Sequence, residues 1–193
     1  MFLGRNIQNL ALTGFMGVGK STMGRHLADF LHFQFMDTDE IIESRQKKAI
    51  TDIFATQGES FFRALEKDLV LEMQGWESSV ISTGGGLLAF GDNMQQLKKK
   101  AFVVCLWAAP ETIYNRIKRQ SNRPLLQTDD PLETIRSMLE KRKAAYRMAD
   151  LMINTDTRPM RHISQIIVRQ FRQAQHQSKK ENHPASSENE FQK

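Results

Sequence analysis

Two rhythms alternate along this chain. Compact, mostly apolar runs occupy residues 7–12, 33–36, 80–82, 102–106 and 151–153, each of a length that suits a strand buried in a sheet. Between them the apolar positions spread to steps of three and four. Met23, Leu27, Phe30 and Leu31 form one such set; Phe62, Leu65, Leu69, Met73 and Trp76 form a second within residues 59–76; Leu132, Ile135, Leu139 and Tyr146 form a third within residues 132–149. These are the stripes of amphipathic helices that face a core. Strands separated each time by at least one helical stretch predict the α/β class with a parallel sheet. No internal repeat is visible. Residues 120–131, QSNRPLLQTDDP, are the polar, proline-flanked stretch inside the fold and predict an exposed loop with the character of a lid.

Composition narrows this picture. The chain has 193 residues, 40% hydrophobic and 25% charged, which suits one soluble domain followed by a tail. No apolar run is long enough to span a bilayer, so no membrane role is expected. The first residues, MFLGRNIQNLALTGF, lack the features of a secretory leader, and the cytoplasm is the expected location. From Gln175 onward apolar residues almost vanish, and Lys179, Lys180 and Lys193 are balanced by Glu181, Glu188 and Glu190. The expected organisation is therefore a domain over residues 1–174 and a disordered tail over 175–193, with the net charge of +5 carried by the domain. A nucleic-acid partner calls for a basic stripe with exposed aromatics, which the sequence does not display, so none is expected. The single cysteine, Cys105, lies within an apolar strand and reads as a buried, inert thiol.

The chemistry begins where the first strand gives way to the first helix. Residues 11–24 read ALTGFMGVGKSTMG. Gly14, Gly17 and Gly19 let backbone N–H groups approach an anion closely, and the helix N-terminus adds partial positive charge. In the frame GxxxxGKS, Gly14, Gly19, Lys20 and Ser21 match a phosphate-binding P-loop: the lysine reaches the β/γ-phosphates and the serine hydroxyl is placed to ligate Mg²⁺. Val18 and Thr22 complete the nucleotide-binding segment. A nucleoside triphosphate with Mg²⁺ is the expected ligand of this loop.

Asp37 and Asp39 follow the second strand, at the edge where open α/β sheets place their ligands. Asp37 suits the metal, through water. Asp39 suits a hydrogen bond or proton from an attacking hydroxyl, and it also has the chemistry to cap a helix beginning at Glu40; the two roles are compatible. Gly84, Gly85 and Gly86 follow the third strand, where bare N–H groups can meet a polar substrate, though three glycines also make a simple tight turn. Arg63 sits three residues before Glu66 beside its helical stripe, Arg123 precedes Pro124 in the lid, and Arg147 ends the last of the helices above. Guanidinium groups suit phosphate and carboxylate recognition by paired hydrogen bonds, and one supplied by a closing lid stabilises charge while excluding water.

Taken in order, GFMGVGKST, FMDTD, GESFFRALE, STGGG, NRPLL and the pair Tyr146 and Arg147 resemble the shikimate kinase family, over residues 7 to about 170. The resemblance implies a P-loop kinase fold of the nucleoside monophosphate kinase type, a five-stranded parallel sheet in the order 23145 flanked by helices, with a lid. It implies transfer of the γ-phosphoryl group of ATP to the 3-hydroxyl of shikimate in aromatic amino acid biosynthesis, with ATP and Mg²⁺ as cofactors; a monomer is expected. Carried over residue by residue, Lys20, Asp39 and Arg123 would serve catalysis, with Arg123 closing onto the transferring phosphate. Ser21 and, through water, Asp37 would hold magnesium. Arg116 would pack on adenine. Asp39, Arg63, Gly84, Gly85, Gly86 and Arg147 would bind shikimate, with Arg63 and Arg147 on its carboxylate and Glu66 orienting Arg63. Lys47 departs from the family pattern, standing where members usually have a glycine. The competing readings are another small-molecule kinase of this fold, acting on gluconate or a nucleoside monophosphate, and a non-catalytic ATP-binding module.

Overall fold

The computed structural model describes residue 2, residues 4–118 and residues 128–182. Five strands form one parallel sheet: β1 (Asn9–Thr13), β2 (Gln34–Asp37), β3 (Ser79–Ser82), β4 (Ala101–Trp107) and β5 (Leu151–Asn154). Their order is β2-β3-β1-β4-β5, the 23145 order expected of this kinase fold. Each strand falls within two residues of the apolar run that predicts it.

Alternation along the central strands divides the core between two faces. Leu10, Leu12, Val80, Phe102, Val104 and Leu106 point to one face, which is covered by α1 (Lys20–Leu31), α5 (Pro110–Ile117), α6 (Pro131–Tyr146) and α7 (Met160–Asn182). Ala11, Ile81 and Val103 point to the other, covered by α2 (Thr38–Gln46), α3 (Ile50–Glu72) and α4 (Asn93–Lys98). The strands therefore all run toward one edge, and their C-terminal ends open there into loops.

Three local features differ from the sequence expectation. On α1 the face toward the core is completed by Gly24 and Ala28, while Phe30 is 56% exposed. A Cβ at position 24 would collide with the ring of Phe35, so the helix approaches β2 on its smallest residue and leaves the large ring outside. The helix of residues 59–76 is longer at its start: α3 begins at Ile50, and Gly58, at φ 80° and ψ 172°, breaks it into two pieces that set Ile50 and Phe54 beside the site. Finally, α7 continues helically to Asn182, so residues 175–182 of the expected disordered tail are ordered. Ala174 and Ser178 prolong the buried stripe of Ile163, Ile167 and Phe171. Ser178 Oγ and Asn182 Nδ2 both donate to the carbonyl of Arg5, and Gln175 Nε2 donates to that of Ile7 at 3.4 Å. Polar side chains thus clasp the N-terminal segment where apolar burial runs out. Residues 183–193 lie outside the described residues.

The Lys47 departure has a clear local consequence. Lys47 ends α2 at φ 52° and ψ 33°, its N–H donating to the Glu43 carbonyl. A side chain in this left-handed conformation costs about 1 kcal/mol relative to glycine.

Candidate functional site

The P-loop is built by the β1–α1 connection. At Gly14 the chain passes so close to β4 that a Cβ would collide with the Leu106 carbonyl oxygen, which explains the first glycine of the motif. Gly14 and Val18 are buried and do not line the cavity; they shape the loop whose walls are Met16, Gly17, Gly19, Lys20, Ser21 and Thr22. Lys20 Nζ reaches back over the loop to the carbonyls of Gly14 and Phe15, at 3.0 and 3.1 Å, so its charge sits inside the cradle. Ser21 Oγ donates to Asp37 Oδ2 at 3.0 Å and lies 3.5 Å from Ser82 Oγ. This small cluster of oxygen donors at the mouth of the loop fits a hard divalent cation such as Mg²⁺, which prefers few protein ligands and completes its shell with water and phosphate.

Asp37 is the residue that caps α2: its Oδ1 accepts the N–H of Asp39 at 3.1 Å. The capping role considered for Asp39 therefore falls to Asp37. Asp39 belongs to the first turn of α2, which turns its carboxylate into the cavity against Gly84, where a Cβ would collide with Oδ1. The triple glycine is consequently a close-approach element as well as a turn. Gly84 N–H donates to the buried Thr38 hydroxyl at 2.8 Å, fixing the third strand's loop to the start of α2.

On the far side of Asp39 stands Arg63. Its Nη1 donates to Glu66 at 2.6 Å, while Nε and Nη2 both donate to Glu59, at 3.2 and 2.9 Å. Glu66 is buried, and burial pushes its carboxyl above the ordinary range; hydrogen bonding and the charge of Arg63 pull it back in part, and the nearby charge of Asp39 pushes the same way as burial. Arg63 thus bridges the buried Glu66 and the exposed Glu59, and the charge of Arg142 also acts on Glu66.

Beside Arg63, the other arginine at this end of the cavity is Arg142, not Arg147. Arg142 Nη1 donates to the Gly85 carbonyl at 3.1 Å, and the buried hydroxyl of Tyr146 donates to the same oxygen at 2.9 Å. Arg147 is exposed and borders a separate surface groove with Trp107 and Met152. The reason is helical geometry. Arg142 lies four residues before Tyr146 and shares its inward face, whereas a residue immediately after Tyr146 is rotated by about 100°. The spacing Arg-x-x-x-Tyr is the sequence signal for a residue on the inward face, and Arg147, adjacent to the tyrosine, lies off it.

A single cavity of about 530 Å³ joins these parts. Lys20, Ser21, Thr22 and Asp37 line one end, Arg63, Glu66, Gly84, Gly85, Gly86 and Arg142 the other, with Asp39 between and Phe54 and Phe62 as apolar wall. Arg116 reaches the P-loop end, donating to Gly17 O at 3.4 Å and to Thr155 at 3.0 and 2.8 Å. Arg123 and residues 120–127 of the expected lid lie outside the described residues. Cys105 is buried behind the loop with its thiol pushed up to about 12 by desolvation, an inert group as expected.

A family model for shikimate kinase matches residues 16–172. The chain is 45% identical over 160 residues to the shikimate kinase of Thermus thermophilus, covering 82% of this chain and 87% of that protein. It is 38% identical over 165 residues to that of Caldanaerobacter subterraneus, covering 86% and 96%. Among solved structures, the shikimate kinase from Acinetobacter baumannii in complex with shikimate superposes with a TM-score of 0.80 at 35% identity, covering 88% of this chain and 95% of that one. A gluconokinase from Sinorhizobium meliloti, at TM-score 0.58 and 13% identity, shares the fold alone. With the P-loop, the Asp37–Asp39 pair, the triple glycine and Arg63 gathered around one cavity, the chain belongs to the shikimate kinase family.

Proposed function

We propose that this protein transfers the γ-phosphoryl group of ATP to the 3-hydroxyl of shikimate, giving shikimate 3-phosphate and ADP. The observation that carries the reading is the two-ended cavity: a phosphate cradle at Lys20 and a guanidinium pair at Arg63 and Arg142, with the Asp39 carboxylate between them.

Each end has its task. The backbone of residues 14–19 and the charge of Lys20 hold the β- and γ-phosphates, and Arg116 borders the nucleotide at Gly17 and Thr155. Magnesium held by Ser21, with Asp37 through water, would supply charge neutralisation at the phosphates. At the other end Arg63 and Arg142 grip the substrate carboxylate, Glu66 orients Arg63, and Gly84, Gly85 and Gly86 allow the ring close to the backbone. Asp39 accepts a hydrogen bond from the acceptor hydroxyl, turning its lone pair toward the γ-phosphorus; as the new P–O bond forms and the bond to ADP breaks, the hydroxyl proton departs on the Asp39 side. Phosphoryl transfer asks little more of a protein than this positioning and charge stabilisation. Arg123, the arginine expected in this role from the sequence, would add charge at the transferring group. Arg142 takes the carboxylate role that the family resemblance alone assigns to Arg147.

A monomer is the proposed working unit, and ATP as donor favours the cytoplasm. Among the described residues no helix is long and apolar enough to cross a membrane. The test is ADP release with shikimate, gluconate and AMP offered separately under identical conditions. Shikimate alone is expected to be phosphorylated; turnover of gluconate or AMP without shikimate would overturn the reading.

A further inference from the structure

Phe90 is a large apolar side chain left 40% exposed in the loop after the triple glycine, and no step of the phosphoryl transfer requires it. Its ring centre lies 3.9 Å from the guanidinium carbon of Arg63, closer than Phe62 at 5.5 Å. Gly86 closes another side, since a Cβ there would stand 3.0 Å from Arg63 Nη1. Glu59 accepts from Nε and Nη2, and Glu66 accepts from Nη1. Beyond the ring a second cavity of about 260 Å³ is lined by Arg63, Lys67, Phe90 and Asp92, so without the ring the guanidinium has both room and a carboxylate to turn toward.

We infer that Phe90 is a positioning residue for the acceptor: by stacking on Arg63 it holds the guanidinium fork toward the substrate carboxylate and closes off the neighbouring cavity. This rests on the proposed shikimate reading. A cation over an aromatic face is attracted by the ring quadrupole, and a guanidinium stacked this way keeps its in-plane N–H groups available for hydrogen bonds. The ring therefore fixes Arg63 without competing for the donors that a carboxylate needs.

The experiment compares wild type, Phe90→Leu and Phe90→Tyr in steady-state assays with shikimate and with its methyl ester, which lacks the carboxylate charge. Phe90→Leu is expected to raise the KM for shikimate about fivefold, the scale of a partly desolvated cation–π contact. Its kcat and KM for ATP should stay within about twofold, and Phe90→Tyr should restore the shikimate KM. With the methyl ester the gap between wild type and Phe90→Leu should close. An unchanged shikimate KM, no recovery in Phe90→Tyr, or an equal effect on the ester would each overturn the inference. Failure of the wild type to phosphorylate shikimate would instead overturn the functional reading. In that event the rate at which phenylglyoxal modifies Arg63, followed by peptide mass spectrometry, still decides the stacking: faster modification in Phe90→Leu supports it and an unchanged rate refutes it.

Discussion

The sheet carries a buried arginine–carboxylate cluster at each of its two edges, and they are built to opposite ends. At the edge where the strands begin, Arg5 meets both oxygens of Asp150 at 2.8 Å and also donates to the carbonyls of Lys98 and Ala101, at 2.6 and 2.8 Å. Lys98 and the Val103 N–H add further contacts to Asp150 at 2.9 and 2.8 Å. Burial alone would raise the Asp150 carboxyl, but these donors together hold it below the ordinary range. At the edge where the strands end, burial wins instead: Glu66 is raised despite its contact with Arg63, and Asp39 adds a second negative charge. The first cluster is electrostatically finished and ties the N-terminal segment to β4 and β5. The second sets Asp39, Glu66, Arg63 and Arg142 around an open cavity, where their polar atoms can reach a ligand. Charge that is fully paired internally serves stability, whereas charge left partly paired is available to a ligand.

The sharpest break of this comparison is truncation at the open cluster. Arg63→Ala should lower kcat/KM for shikimate by about a thousandfold, the scale of losing a desolvated charge pair with the substrate, with the KM for ATP little changed. The fold should survive, because the carboxyl of Glu66 is already raised and can take up a proton once its partner is gone. Steady-state kinetics together with a thermal melt separate the two effects, and an Arg63→Ala protein of normal activity would remove the clamp.

The mirror experiment is Asp150→Asn. Breaking a buried, hydrogen-bonded ion pair at the closed cluster should cost about 3 kcal/mol of stability, read by urea unfolding, while kcat and both KM values persist in the protein that remains folded. Loss of activity without loss of stability would contradict the division of labour between the two edges.

Within the open cluster, Arg142→Ala should raise the KM for shikimate about 30-fold, as expected for one of two carboxylate contacts, whereas Arg147→Ala should stay within about twofold, as an exposed surface charge does. Equal effects would mean that the helix does not present its arginines as the structure describes.

That pair also marks how far the sequence could be read. Strand–helix alternation, the P-loop and the aspartates were legible because each follows from periodicity or from a motif held within a few consecutive residues. Arg142 was missed because its contact is with Gly85, 57 residues away, and only the shared helical face with Tyr146 hinted at it. The ordered stretch of residues 175–182 was missed for a related reason: it is held by side-chain bonds to the carbonyls of Arg5 and Ile7, and composition registers apolar burial rather than such bonds. The helix over residues 50–57 shows apolar positions at Ile50, Ile53 and Phe54, but the run is short and Gly58 cuts it from the longer stripe. What the sequence conceals is thus tertiary pairing between polar groups, which has no period.

The smallest effect separates the clusters by sign. Glu66 in the folded state binds its proton more tightly than in the unfolded chain, so its contribution to stability is fully present below its ordinary value of 4.5 and is lost as pH rises through the raised folded value. Asp150 runs the other way: its contribution is present above its ordinary value of 3.8 and is lost as pH falls through the depressed folded value. Urea unfolding of wild type, Glu66→Gln and Asp150→Asn across acid to neutral pH should therefore give two difference curves of opposite slope. Glu66→Gln, whose amide oxygen still accepts from Arg63, should gain on wild type as pH rises above 4.5, and Asp150→Asn should close its deficit as pH falls below 3.8. Parallel curves would mean that both carboxylates experience the same balance of burial and pairing, and the contrast between a finished and an unfinished cluster would fail.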